Sequence, residues 1–79
     1  MIEKRAAPRF KVLKGGTVAT DGGRIPCTVR NMSSSGAAVE FAQHVDLPET
    51  FTLVIERDRF SRRCRPVWSN ARRAGMAFC

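Results

Sequence analysis

The segment RIPCTVRNMSSSGAAVEF, residues 24–41, decides the fold. Apolar residues occupy every second position on both sides of a polar stretch, at Ile25, Cys27 and Val29 and again at Ala37, Val39 and Phe41. Successive side chains of a strand point to opposite faces, so each half predicts a strand with one buried face. The polar residues 31–36 between them predict a turn, and the whole segment therefore predicts two consecutive strands.

Similar signals recur along the rest of the chain. The predicted strands cover residues 10–20, 24–31, 37–41, 51–56, 59–68 and 75–78. No stretch shows a helical period with caps. Six short strands with no crossover helix predict an all-β fold, a small antiparallel β-barrel that closes on itself to remove its edges.

The connections carry their own signals. Gly15-Gly16 predicts a bulge or bend in the first strand, and Pro66 predicts an edge or bulge position in the fifth. Arg57-Asp58 is a candidate tight turn, and residues 69–73 form the last predicted turn. Arg62 interrupts the apolar side of the fifth strand.

The chain is predicted to hold one domain. Residues 1–9 are polar, contain Pro8 and show neither period, so they predict a flexible N-terminal arm. Residues 10–79 form the predicted barrel. Because the sequence ends at Cys79, directly after the last strand, we expect no C-terminal helix.

The charge points to an anionic partner. The 79 residues carry 14 Lys plus Arg against 7 Asp plus Glu, a net charge of +7, and 11 of the cations are arginine. Arginine binds phosphate or a guanine edge through a planar fork of donors, which favours a nucleotide-like ligand. Seven arginines lie between Arg57 and Arg73, and many of these are expected simply to solvate the outer faces of strands.

Several function classes are disfavoured. Cys27, Cys64 and Cys79 form no CxxC pair and are expected to be core residues or free thiols, and His44 is the single histidine. We expect no catalytic set, metal or cofactor, and therefore no enzyme. The apolar stretches are too short to span a membrane, so we expect a cytoplasmic protein without membrane insertion.

Two polar motifs stand in order along the chain. Arg5 and Arg9 form RxxxR, and Asn31, Ser33 and Gly36 form NxSxxG. With Trp68 in the fifth strand and a closing Gly-x-x-Phe at residues 75–78, this pattern resembles the PilZ domain family over essentially the whole chain.

The resemblance implies a six-stranded bacterial receptor barrel that binds cyclic di-GMP. It also implies that the N-terminal arm orders on ligand binding and signals to a downstream protein partner. We expect a monomer, since the helix through which many such domains associate is not expected here.

The resemblance also implies the ligand-binding residues. Arg5 and Arg9 would contact phosphate or the Hoogsteen edge of guanine. Asn31 and Ser33 would bind a guanine edge or phosphate, or else satisfy their own turn. Gly36 would supply a positive φ or a bare backbone close to the ligand.

Two further residues are candidates. Lys4 precedes the first arginine and would help to neutralise four phosphates if two ligand molecules bind together. Trp68 would present its indole to the ligand, or lie in the core with an exposed edge.

Two alternatives remain open from the sequence. A small basic barrel could bind single-stranded nucleic acid, although few aromatic residues are placed to stack on bases, which makes nucleic acid an unlikely partner. A PilZ-like barrel could instead act as a protein-interaction adaptor that does not bind the ligand.

Overall fold

The computed structural model describes residues 10–79, and their side chains from residue 12 onward. The strands are β1 Phe10–Thr20, β2 Gly23–Met32, β3 Gly36–Glu40, β4 Phe51–Ile55, β5 Phe60–Asn70 and β6 Arg73–Phe78. Every neighbouring pair is antiparallel, and the strands close into a barrel in the order β1-β2-β3-β6-β5-β4. The predicted all-β, six-stranded antiparallel barrel is confirmed.

The core fills the barrel with the residues that the alternation placed inward. Its most deeply buried side chains are Leu53, Ile55, Val18, Val29, Val39 and Cys64. Cys27 and Cys64 are buried free cysteines and Cys79 is exposed, as predicted. Burial raises the pKa of the Cys27 thiol to about 11, so this residue stays a neutral core side chain at neutral pH.

The predicted bulge at Gly15-Gly16 was wrong. Both glycines pair regularly with β2, whereas the pairing shifts between Lys11 and Lys14. A Cβ on Gly16 would lie 3.2 Å from Cγ2 of Val29 and 3.3 Å from the carbonyl oxygen of Val54. Gly16 therefore allows the backbone of β1 to approach its neighbours closely. Close approach, like a bulge, is a common reason for a glycine inside a strand.

The β4–β5 connection is a short 3₁₀ turn at Glu56–Asp58, rather than a two-residue turn. The turn closes on Arg59, which adopts a left-handed conformation with φ 53°. An ion pair between Lys14 and Asp58 joins this turn to β1.

The last hairpin is tighter than predicted. Strand pairing continues to Asn70 and Arg73, so only Ala71 and Arg72 remain in the turn instead of residues 69–73. Ala71 has φ 53°, the left-handed conformation that two-residue hairpin turns require.

Arg62 lies on the inward face of β5, as its place in the alternation predicts. It pairs with the buried Leu53, and paired residues of neighbouring strands share a face. Its guanidinium carbon lies 5.3 Å from the centre of the Phe78 ring, while the residue remains exposed. The side chain thus covers the rim of the core with its stem and keeps its charge in water.

Antiparallel order gathers several segments at one end of the barrel. The start of β1, the β2–β3 turn, the β4–β5 connection and the end of β6 all lie there. The NxSxxG motif occupies the β2–β3 turn, so this end of the barrel positions the candidate site.

Candidate functional site

A bulge turns Asn31 toward the outer surface. Val29 pairs with Val39 and Asn31 pairs with Ala38, which leaves Arg30 as an extra residue in β2. The extra residue reverses the alternation, so Asn31 shares the outward face of Ala38 and not the inward face of Val29. Without this bulge Asn31 would point into the core.

Strand pairing extends that position into a row across four strands. Asn31 pairs with Ala38, Ala38 with Gly75, and Gly75 with Trp68. We call these four residues the outer row. It has an amide at one end, an indole at the other and two small residues between them. The small residues Ala38 and Gly75 form a shallow surface on the barrel wall, which we call the floor.

Trp68 lies flat over Gly75. A Cβ built on Gly75 would overlap the indole ring of Trp68, and this cover explains why Gly75 is buried although it faces outward. Trp68 itself is 44% exposed. The predicted core position of Trp68 was therefore wrong, because Trp68 pairs with Gly75, which faces outward. The indole lies at the surface, as the alternative required.

The outward position of Trp68 depends on a second bulge. Pro66 pairs with Met76 and Trp68 with Gly75, so Val67 is an extra residue in β5. The bulge predicted from Pro66 is confirmed. Proline is tolerated there because the regular ladder is interrupted.

The turn and Trp68 line one small depression of about 210 Å³. Its walls include Ser33, Gly36, Ala38, Trp68 and Gly75. The volume is below the roughly 300–1,000 Å³ of clefts that enclose drug-sized ligands. The depression can therefore seat only part of a dinucleotide.

Asn31 lines a second, larger depression of about 580 Å³ beside the first, with Val12, Leu13, Arg30 and Arg73. The two depressions are neighbours on the barrel wall, because Asn31 of the larger one pairs with Ala38 of the smaller one. The structure thus brings Ser33, Gly36 and Trp68 together in one depression and places Asn31 at its border with the next.

One carboxylate holds the two arginines of the larger depression. Arg30 Nη1 lies 3.0 Å from Glu40 Oε1, and Arg73 Nε lies 3.8 Å from Glu40 Oε2. This cluster brings two guanidiniums and one carboxylate beside Asn31, so the larger depression is cationic.

The Ser33 hydroxyl organises its own turn. It accepts a hydrogen bond from the Ser35 backbone N–H at 3.2 Å and lies 3.1 Å from the Ser35 hydroxyl. The Ser33 N–H donates to the carbonyl oxygen of Gly36 at 2.8 Å, and the Phe78 N–H donates to that of Ser35 at 2.9 Å. The turn is thus fixed on β6, and Ser33 already has the local role that the sequence left open.

Gly36 serves packing within the chain. Among the described glycines only Gly23 has a positive φ, so the positive φ expected at Gly36 was wrong. A Cβ on Gly36 would overlap the carbonyl oxygen of Met76 in the neighbouring strand. Gly36 is needed because the backbones of β3 and β6 approach too closely there for any side chain.

Asn31 has an unsatisfied oxygen. Its side-chain Oδ1 is buried and has no hydrogen-bond partner among residues 10–79. A buried acceptor without a partner costs free energy, and such atoms are rare in folded proteins. The oxygen is therefore available to a donor that the described part of the chain does not supply.

The N-terminal candidates Lys4, Arg5 and Arg9 lie outside the described residues. The first described pairs are Phe10 with Met32 and Lys11 with Asn31. Strand β1 therefore begins beside Asn31 and the NxSxxG turn, so the RxxxR motif precedes the strand next to the site.

The sequence did not predict two parts of the site, the floor formed by Ala38 and Gly75 and the cations Arg30 and Arg73 beside it. The sequence predicted no site role for Ala38 or Arg30, and Gly75 entered only as part of the closing Gly-x-x-Phe motif. Glycine inside a strand, opposite a tryptophan, was the available signal of a close approach. The bulge at Arg30 had no sequence signal.

Two features are absent from the described residues, a metal-ligating cluster and a membrane-spanning helix. No group of three or more His, Cys, Asp or Glu side chains within it could hold a metal ion. No helix in it is long and apolar enough to cross a membrane.

A comparison with known protein families identifies the family of this chain. The sequence pattern of the PilZ domain matches residues 3–79, which include both motifs and all six strands. No curated protein matches the chain significantly.

Proposed function

This chain belongs to the PilZ domain family, and on that premise we propose that it is a non-catalytic receptor that binds cyclic di-GMP on the outer wall of its barrel. The ligand would lie over the outer row, defined above as Asn31, Ala38, Gly75 and Trp68. The family is one of cyclic di-GMP receptors, and its domains are generally binding modules without catalysis.

The observation that carries the proposal is the buried Oδ1 of Asn31, which has no hydrogen-bond partner among the described residues. The N1–H and N2–H groups of guanine are donors that suit such an acceptor. A ligand that supplies one of them would relieve the cost of the buried oxygen, which favours the bound state.

Trp68 and the floor supply the apolar contact. An indole that is 44% exposed offers a face or an edge to a purine, and the small residues Ala38 and Gly75 leave room for a flat ring. Stacking of a base on an aromatic side chain contributes about 1–3 kcal/mol. Trp68 would therefore recognise the base without selecting guanine, and Asn31 would provide the selectivity.

The arm would supply the cations. Arg5 and Arg9 would bind the phosphates or the guanine O6 and N7 atoms, with Lys4 as a further contact if two ligands bind together. The proposal is supported by the start of β1 beside Asn31, because these residues directly precede that strand in the sequence. Ordering of the arm on binding would create the surface that a downstream partner recognises.

An NMR titration tests this function. Addition of cyclic di-GMP should shift the amide signals of Asn31, Gly36, Ala38 and Gly75 and the indole signal of Trp68. The signals of Thr17 and Val54, which pair with each other on the opposite side of the barrel, should stay in place. Shifts confined to other residues, or no shifts, would refute the proposal.

Alanine at Arg5 or Arg9 tests the arm separately. Each variant should lose binding while its thermal melt stays close to that of the wild type, since both residues belong to the arm predicted from the sequence. Normal binding by both variants would show that the arm is not part of the site.

Single-stranded nucleic acid is less well supported. Phe41 and Phe51 are buried and Phe60 and Phe78 pack against the core, so Trp68 is the sole exposed aromatic side chain among those described. Proteins that bind single strands without sequence preference stack successive bases on several aromatics. One platform is suited to a short ligand.

A further inference from the structure

A second outward row runs beside the outer row. Gly36 pairs with Ala77, and Ala77 pairs with Arg65. Gly36 and Ala77 line the small depression, and Arg65 is the next residue across the sheet. Residues directly opposite each other on neighbouring strands have Cβ atoms about 4.5–5.5 Å apart, so the stem of Arg65 starts at the rim of the depression.

The bulge at Val67 brings Arg65 and Trp68 to the same face. In a regular strand two residues three positions apart point to opposite faces. The extra residue Val67 restores Arg65 and Trp68 to one side. Trp68 lines the depression there, and Arg65 lies opposite Ala77, which also lines it. A guanidinium and an indole therefore lie on the same edge of the proposed ligand site.

Arg65 differs from the other cations near the site. Glu40 binds both Arg30 and Arg73, and Asp58 binds Lys14. Arg65 is exposed and has no carboxylate or side-chain hydrogen-bond partner among residues 10–79. The residues that line the small depression include no charged side chain. An anionic group seated there would find Arg65 as its nearest uncommitted cation on β5.

We propose that Arg65 binds a phosphate of the ligand from the β5 side of the site. The inference rests on the proposed function and adds a cation from the barrel wall to those of the arm. The arm joins the barrel beside Asn31, at one end of the outer row, whereas Arg65 lies next to Trp68, at the other end. Cations at both ends would hold a ligand that carries two phosphates across the row.

Arg63 provides a matched control. It lies two residues from Arg65 on the same strand and the same outer face, and its removal changes the net charge equally. Arg63 pairs with Thr52 of β4, and its Nη2 donates to the Thr50 hydroxyl at 3.2 Å. Its guanidinium is therefore directed away from the depression.

The experiment titrates cyclic di-GMP into the wild type, Arg65→Ala and Arg63→Ala at one salt concentration. Loss of a charge-assisted hydrogen bond to phosphate should weaken Kd about tenfold or more in Arg65→Ala. Arg63→Ala should stay within about twofold of the wild type. Arg65→Lys keeps the charge but loses the planar fork, so its Kd should lie between those of the wild type and Arg65→Ala.

The outcomes separate the two proposals. If the wild type does not bind, the proposed function itself fails. If the wild type binds and the two alanine variants bind equally, whether tightly or weakly, Arg65 has no specific contact and the inference is overturned. A thermal melt of each variant identifies misfolding. If Arg65→Ala is misfolded, the folded Arg65→Lys decides: weaker binding than the wild type supports the contact, and wild-type affinity overturns it.

Discussion

Replacing Asn31 with leucine should separate stability from binding. Leucine has the branched shape of asparagine and the same number of heavy atoms but no polar side-chain atoms, so the substitution removes Oδ1, which has no partner among residues 10–79, without leaving a cavity. A buried polar group without a partner costs about 1–3 kcal/mol. The free protein should therefore unfold with a free energy equal to that of the wild type or higher by up to about 2 kcal/mol.

Thermal denaturation measures this change. In a domain of this size 1 kcal/mol shifts Tm by about 4–8 °C, so Asn31→Leu should melt at the wild-type temperature or as much as about 8–16 °C above it. Affinity for cyclic di-GMP should fall at least tenfold, because the acceptor for guanine is lost. Higher stability with weaker binding is typical of a residue kept for function.

Asn70 is the matched control, since it is the only other asparagine and lies exposed at the end of β5. Asn70→Leu should leave affinity unchanged. Two results would refute the reasoning about Asn31: a Tm loss of more than about 5 °C in Asn31→Leu, or wild-type affinity in that variant.

Two further predictions concern Gly75 and His44. Gly75→Ala should push the indole of Trp68 off the floor, because the new Cβ would occupy its place, and the emission of this single tryptophan should shift to longer wavelength; an unchanged spectrum would contradict the packing. His44 has a raised pKa because Nε2 lies 2.9 Å from the Asp46 carboxylate and Nδ1 lies 3.2 Å from the carbonyl oxygen of Ala71. A raised pKa stabilises the fold below the unfolded value of about 6.5, and the effect disappears as pH rises through the folded value. The Tm difference between wild type and His44→Gln should therefore be larger at pH 5.5 than at pH 8.5, and equal differences would refute the contact.

The sequence predicted the barrel because its signal is local and repeated. Alternation at Ile25, Cys27 and Val29, and turn residues between the strands, are sufficient to define strands with one buried face. Closure follows because six strands without a covering helix have no other way to remove their edges.

The site was harder to predict because it depends on bulges. One extra residue at Arg30 turns Asn31 outward, and another at Val67 brings Arg65 and Trp68 to one face. Proline signalled the second bulge, but nothing in the sequence signalled the first. A shift of one residue moves every following side chain to the other face, so a small error in register changes the composition of the site completely.

Gly36 and Gly75 show a related limit. The sequence indicates that a glycine is unusual inside a strand, but it does not indicate what approaches it. In the structure the neighbour of Gly36 is the backbone of Met76, and the neighbour of Gly75 is the indole of Trp68. The contact of Gly36 comes from a strand distant in sequence, and that of Gly75 depends on the register shift at Val67, so only the folded barrel reveals them.

Isothermal titration of the wild-type chain with cyclic di-GMP, with cyclic di-AMP as the control, tests the central claim most directly. We predict saturable heat with cyclic di-GMP and much weaker or no heat with cyclic di-AMP, because adenine lacks the N1–H and N2–H donors that would satisfy Asn31. Absence of heat with cyclic di-GMP from a folded protein, or equal binding of both dinucleotides, would contradict the account.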